Sequence, residues 1–226
     1  MTELDFATVL ERWPLFVDGA WVTIRLALVA TLCGFVIGTL CAAGRRSRHA
    51  VLSRVCGGYV ELIRNTPLLV QIFLVYFGLS SLGLKLPAFT VAVIALAVNA
   101  GAYATEIMRA GFDSVNRSQL EAAECLGLSR LQVYWHVVLF PAMERVYPAL
   151  TSQFVLLMLA SSICSQISVE ELTAVANHVQ SDTYRPFETF LVIGAGYIVL
   201  SLLMRLGFWG LGALLFPRRR RLGTAL

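Results

Sequence analysis

The side chains able to handle a polar solute gather at two places in an otherwise apolar chain. Asn99, Tyr103 and Glu106 recur at i, i+4 and i+7 among Ala, Val, Ile and Leu, which puts an amide, a phenol and a carboxylate on one helical stripe. Such a stripe can hydrogen-bond a polar solute or a neighbouring helix. Glu61, Arg64 and Gln71, at offsets of three and seven, share a helical face, with Asn65, Thr66 and Pro67 between the last two. Pro67 lacks the amide that would bond the Ile63 carbonyl, so a backbone acceptor is freed, which suits a helix lining a cavity. Glu61 and Arg64 can pair locally or stand at a gate.

These groups do not make a catalytic set. No Ser-His-Asp, His-Glu-x-x-His or paired-carboxylate pattern accompanies them. The nearest thing to a phosphate loop, Gly78 to Lys85, has an extra leucine before the lysine and no Ser or Thr after it. Cys33, Cys41, Cys56, Cys125 and Cys164 show no paired spacing, and His49, His136 and His178 lie far apart. The expectation is no enzyme activity, no disulfide, no metal and no cofactor on this chain. A net charge of +4 comes mostly from arginines that flank apolar stretches, and no nucleic-acid function follows from it.

What must position the polar groups is a membrane bundle. The chain has 226 residues, of which 58% are hydrophobic and 14% charged, well under the roughly 25% charged residues of soluble domains. Mean hydropathy is +0.73. Five apolar stretches, at about 21–43, 59–79, 87–108, 142–160 and 187–216, each approach or exceed the ~20 residues a spanning helix needs. No stretch alternates with period two, which disfavours a β-barrel. The reading is an all-α integral membrane protein forming a single domain over 1–226.

Arginines set the expected orientation. Arg45, Arg46, Arg48, Arg54, Arg109, Arg117, Arg130 and the run Arg218 to Arg221 fall on one side, against Arg12, Lys85 and Arg185 on the other. By the positive-inside rule the N-terminus is outside and the C-terminus cytoplasmic. The first twenty residues carry Glu3, Asp5, Glu11, Arg12 and Asp18 with Pro14 and have no basic n-region, so span one is expected to act as its own signal.

Residues 121–141 form a polar, helix-favouring island in a loop of about 110–140 on the arginine side. Ser118-Gln-Leu-Glu121 fits a capping box and predicts a helix start near 119. Ala122 and Ala123 favour helix without bulk, Gly127 permits a sharp turn after two turns, and Pro141 suits the first turn of span four. The product is a short peg. In span one, Gly34 and Gly38 allow close approach of another backbone, from this chain or from a second subunit. Five spans are few for enclosing a gated route, so oligomerisation is expected.

At these residues the chain resembles the permease subunits of ATP-binding-cassette importers. Glu121-Ala122-Ala123, Gly127 and Phe140-Pro141 match the cytoplasmic loop that in this family forms the coupling helix docking on the ATPase. Glu61 to Gln71, Asn99 to Gly111 and Arg185-Pro186-Phe187-Glu188 resemble signatures of polar amino-acid permeases. The resemblance implies a type I importer permease fold in the bacterial inner membrane. It assigns coupling to Ser118, Glu121, Ala122, Ala123, Gly127 and Pro141, and a substrate route to Arg64, Asn65, Thr66, Pro67, Gln71, Asn99, Tyr103 and Glu106. It also implies a second permease, two ATP-binding subunits holding ATP and Mg, and an extracytoplasmic amino-acid-binding protein. In one place the chain departs: Leu159-Ala160-Ser161-Ser162 stands where many relatives carry Lys followed by Asp or Asn, so a non-identical partner permease is favoured over a homodimer. A passive channel, a structural membrane subunit or a permease for another small polar solute is the rival reading, distinguished by ATPase contact at residues 118–130.

Overall fold

The computed structural model describes residues 4–216, and the expected Arg218 to Arg221 run lies outside them. All regular structure among the described residues is helical. A short α1 (Phe6–Leu10) leads into α2 (Trp13–Arg45), followed by α3 (Ala50–Arg64), α4 (Leu68–Ser81), α5 (Ala88–Asp113) and α6 (Arg117–Cys125). Then come α7 (Arg130–Gln132), a π-helical stretch (Val133–Leu139), α8 (Phe140–Ala160), a 3-10 stretch (Ser161–Ile167), α9 (Leu172–Thr183) and α10 (Pro186–Leu215). Among the described residues four helical runs, Trp13–Arg45, Ala88–Asp113, Arg130–Ile167 and Pro186–Leu215, are long and apolar enough to cross a membrane, and α3 with α4 makes a fifth candidate.

The expected second span at 59–79 is corrected: α3 and α4 meet at a 110° bend, so Gln71 does not share a face with Glu61 and Arg64. The break falls where Pro67 removes an amide and Asn65 and Thr66 offer competing side-chain bonds. Span four is also longer than 142–160, because the helix runs on through Pro141 from Arg130. Pro141 follows the π-helical stretch, whose wider i→i+5 turn is a way to carry a residue without an amide inside a continuous helix.

The core is built from small residues of α5. Val91, Ala92, Ala95, Leu96 and Ala100 are buried against Leu26 and Ala30 of α2, Ile72 of α4 and Leu157 of α8. A Cβ on Gly34 would lie 2.6 Å from Ala100 Cβ, and one on Gly38 2.5 Å from Ala104 Cβ. The close approach expected of this pair is therefore made within the chain. The chain segment before α10, read from sequence only as an outer connection, contains α9. Thr23 Oγ1 accepts from Leu172 N at 3.1 Å. The fully buried Glu171 carboxylate caps α9 through Thr173 N and Ala174 N, both at 2.9 Å, and accepts from Tyr197 Oη at 2.8 Å. Burial pushes this carboxyl up, against the pull of those donors.

Candidate functional site

The predicted route residues converge on the bend between α3 and α4. Gln71, only 7% exposed, donates through Nε2 to Ile63 O at 2.7 Å, Thr66 Oγ1 at 2.8 Å and Thr66 O at 3.0 Å. The carbonyl that Pro67 orphans is thus satisfied by a side chain one helix later. Gln71 Oε1 accepts from Asn99 Nδ2 at 2.9 Å, which pins α4 to α5. Asn65 Nδ2 donates to Glu61 O at 2.8 Å and to its carboxylate at 3.2 Å, and Thr66 Oγ1 to Leu62 O at 2.9 Å. Among the described residues Glu61 and Arg64 form no ion pair; the Arg64 guanidinium instead lies over the Tyr103 ring, 5.5 Å from its centre.

The α5 stripe contacts a different element at each position: Asn99 with α4, Tyr103 with α3 and Glu106 with α2. Glu106 accepts from Arg45, and from Arg109 at 2.9 Å. Arg109 also pairs with Asp113 at 3.1 Å, and Arg46 with Asp113 at 2.9 Å. This forms a charged belt across the end of the bundle where the arginines gather. Such a layer belongs at a membrane boundary, since charge inside the hydrocarbon is costly. Sequence reasoning used Arg45 and Arg46 only to count charge. Their pairing with α5 depends on the Gly34 and Gly38 contact that lays α2 along it.

Beyond the belt stands the peg. α6 runs from Arg117 to Cys125, and its N-cap is Asn116, whose side chain accepts from Ser118 N at 3.3 Å. The expected Ser118 and Glu121 box is corrected: Glu121 makes an exposed pair with Arg117 at 3.4 Å. A capping box does form one helix later, between Ser129 and Gln132. Gly127 adopts φ +71, with its amide bonded to Glu124 O and the Leu128 amide to Ala123 O. This is a Schellman ending, and it needs a left-handed residue at Gly127. Ala123 is buried, whereas Ser118, Glu121 and Ala122 are exposed. An apolar rim missed in the sequence surrounds them: Leu126 is 80% exposed, Leu131 67% and Trp135 48%. Large apolar residues standing inside a polar loop between spans were the available signal.

The departure at Leu159 and Ala160 lies where α8 ends and the helix tightens to 3-10 geometry. Ser161 Oγ donates to Met158 O at 2.6 Å and is buried. Leu159 and Leu156 are exposed on α8.

The described residues thus form a helical membrane bundle with a polar seam, a charged belt and a capped peg beyond it. The chain belongs to the family described as the binding-protein-dependent transport system inner membrane component, which matches residues 34–220. It is 36% identical to the nopaline transport system permease protein NocM of Agrobacterium fabrum, over 98% of this chain and 97% of that one. It is 32% identical to the probable glutamine ABC transporter permease protein GlnM of Bacillus subtilis, over 90% and 94%. Among solved structures, an amino acid ABC transporter crystallised with histidines matches at 37% identity and TM-score 0.85, over 96% of this chain and all of that one. The methionine ABC transporter MetNI, at 19% identity and TM-score 0.74, shares the fold. The chain is thus an inner-membrane transport component, and ATP hydrolysis belongs to separate subunits. Membership implies ATPase, binding-protein and second-permease partners.

Proposed function

We propose that this chain carries polar or charged amino acids into the cytoplasm as one half of a heterodimeric pathway. Full-length likeness to the amino acid transporter crystallised with histidines carries this reading, together with relatives named for nopaline and glutamine. The arginine count supports an N-terminus outside and the belt and peg in the cytoplasm. A binding protein delivers the amino acid from outside, and two ATPase subunits hold ATP and Mg below.

In this account Ser118, Glu121, Ala122 and the Gly127 turn dock on the ATPase, with Leu126, Leu131 and Trp135 filling its apolar groove. Ala123, buried, seats the peg against the π-helical stretch, and Pro141 opens α8 just beyond it. Closure of the ATPases draws the two pegs together and shifts α8 and α5 between inward and outward access. The route runs along Arg64, Asn65, Thr66, Pro67, Gln71, Asn99, Tyr103 and Glu106. The Gln71 to Asn99 bond and the Glu106 belt hold this side closed until α5 moves. The apolar Leu159 and Ala160 support a division of labour, in which the partner permease contributes the charged contacts to the substrate.

The test is uptake into proteoliposomes containing this chain, its ATPase and its binding protein, with or without the second permease. ATP-dependent accumulation of histidine or glutamine only when the second permease is present is expected. Full activity with two copies of this chain contradicts the heterodimer, and amino-acid flux without ATP favours a passive channel.

A further inference from the structure

A cavity of about 270 Å³ opens between α8 and α10, lined by Tyr147, Pro148, Thr151, Ser152, Arg205 and Trp209. Packing fixes its depth. A Cβ on Gly111 of α5 would meet Val146 and Ala142 of α8, so the two helices are level there. As successive spans joined by the loop that carries α6, they run in opposite directions, so five residues back from Gly111 is Glu106, and five forward from Val146 is Thr151, at equal rise. The cavity therefore lies level with the Arg45, Glu106 and Arg109 belt. Trp209 is a residue type typical of that boundary.

Two of its donors are spent and two are not. Tyr147 Oη already donates to Phe208 O and Thr151 Oγ1 to Tyr147 O, both at 2.6 Å. Ser152 and Arg205 have no hydrogen bond or ion pair among the described residues, and no carboxylate lines the cavity. A guanidinium and a hydroxyl facing one space with neither bonded to an acceptor call for a ligand with anionic oxygens, and the planar fork of Arg fits phosphate. The surroundings indicate where that phosphate comes from. Leu202, Leu206 and Trp209, at −3, +1 and +4 from Arg205, are 54%, 63% and 60% exposed, forming an apolar wall beside it. This wall faces the acyl chains of the bilayer, so the anionic oxygens that reach the cavity from that side are those of a lipid headgroup. We propose that the α8–α10 cavity is a binding site for the phosphate of an anionic membrane phospholipid, gripped by Arg205 and Ser152, with its chains along α10.

Native mass spectrometry on the purified permease–ATPase complex tests this, with phosphatidylglycerol, phosphatidylcholine or inorganic phosphate added. The wild type should prefer phosphatidylglycerol to phosphatidylcholine, and millimolar inorganic phosphate should not displace it. Arg205→Gln should weaken phosphatidylglycerol binding roughly tenfold, as expected for loss of a charge-assisted bond. Ser152→Ala should weaken it less, and Arg205→Lys should retain part of it. Equal binding by wild type and Arg205→Gln overturns the proposal, and displacement by inorganic phosphate overturns the lipid as source. A raised KM for amino-acid uptake in Arg205→Gln with lipid binding unchanged would assign the guanidinium to the transport route, also overturning it. Should Arg205→Gln fail to fold, the wild-type headgroup preference and the Ser152→Ala response decide the matter: absence of both contradicts the site.

Discussion

Helices α5 and α10 are both apolar and both long enough to span a membrane, yet 61% of α5's most apolar window is buried and only 11% of α10's. What separates them is side-chain size. α5 is rich in Ala and Gly, carries the polar stripe and contacts α2, α3, α4 and α8, whereas α10 presents Leu, Phe and Trp outward. Lipid is as apolar as leucine, so hydrophobicity gives no reason to bury one helix over another. Close backbone approach and interhelical hydrogen bonds do. Among spanning helices, small and polar residues therefore mark the core, the reverse of the rule in water.

The comparison breaks first at the glycines. Gly38→Leu would drive a side chain into Ala104 and the Gly101 carbonyl, with a Cβ already 2.5 Å from one and 3.0 Å from the other. A loss of about 3 kcal/mol is expected, read as thermal unfolding in detergent. Gly194→Ala on α10 meets nothing within 4 Å and should be neutral or stabilising by about 0.5 kcal/mol. Equal sensitivity at both positions would refute the contrast.

Next in size is the polar seam. Gln71→Leu strands the Ile63 carbonyl and the Asn99 amide and should cost about 2 kcal/mol. Combining it with Asn99→Leu should cost less than the sum of the single changes, because the second removes a donor the first left unpaired. Strict additivity in a double-mutant cycle would show that the two amides do not act together. Gly127→Ala, forcing a left-handed φ on a side chain, should loosen α6 by about 1 kcal/mol, seen as faster amide exchange at Gly127 and Leu128.

The smallest effect lies at the exposed N-terminal end. The Thr8 hydroxyl, foremost, holds the Asp5 carboxyl below its usual value of 3.8. A depressed carboxylate contributes while ionised, so this cap should persist above pH 3.8 and be lost as pH falls through the lower folded value. Amide exchange at Ala7 and Thr8 should quicken over that range, and a flat profile would contradict the cap.

Much of this was legible in the sequence, and what was not has physical causes. Apolar length located the first, third and fifth spans, because α2, α5 and α10 each exceed the hydrocarbon thickness without a break. Pro67 announced a free carbonyl, but the acceptor's partner, Gln71, lies across a bend whose angle is set by packing on α5. Pro141 read as a helix start because periodicity cannot show a π-helical turn preceding it. Ser118 and Glu121 matched a capping box that Asn116 pre-empts two residues earlier, where its side-chain oxygen accepts from the Ser118 amide. Gly34 and Gly38 signalled a close approach without saying whose backbone approaches. The stripe of Asn99, Tyr103 and Glu106 was visible as a stripe, while its partners on three different helices were not, since pairing is a tertiary property.

Coupling through α6 is the central claim, and one paired measurement tests it most directly. Glu121→Lys and Gly127→Trp should insert at wild-type levels, since both residues are exposed and outside the spans. In each variant, co-purification with the ATPase and ATP-dependent amino-acid uptake, measured on the same membranes, should fall together. Normal ATPase capture with normal uptake in both variants would contradict the account.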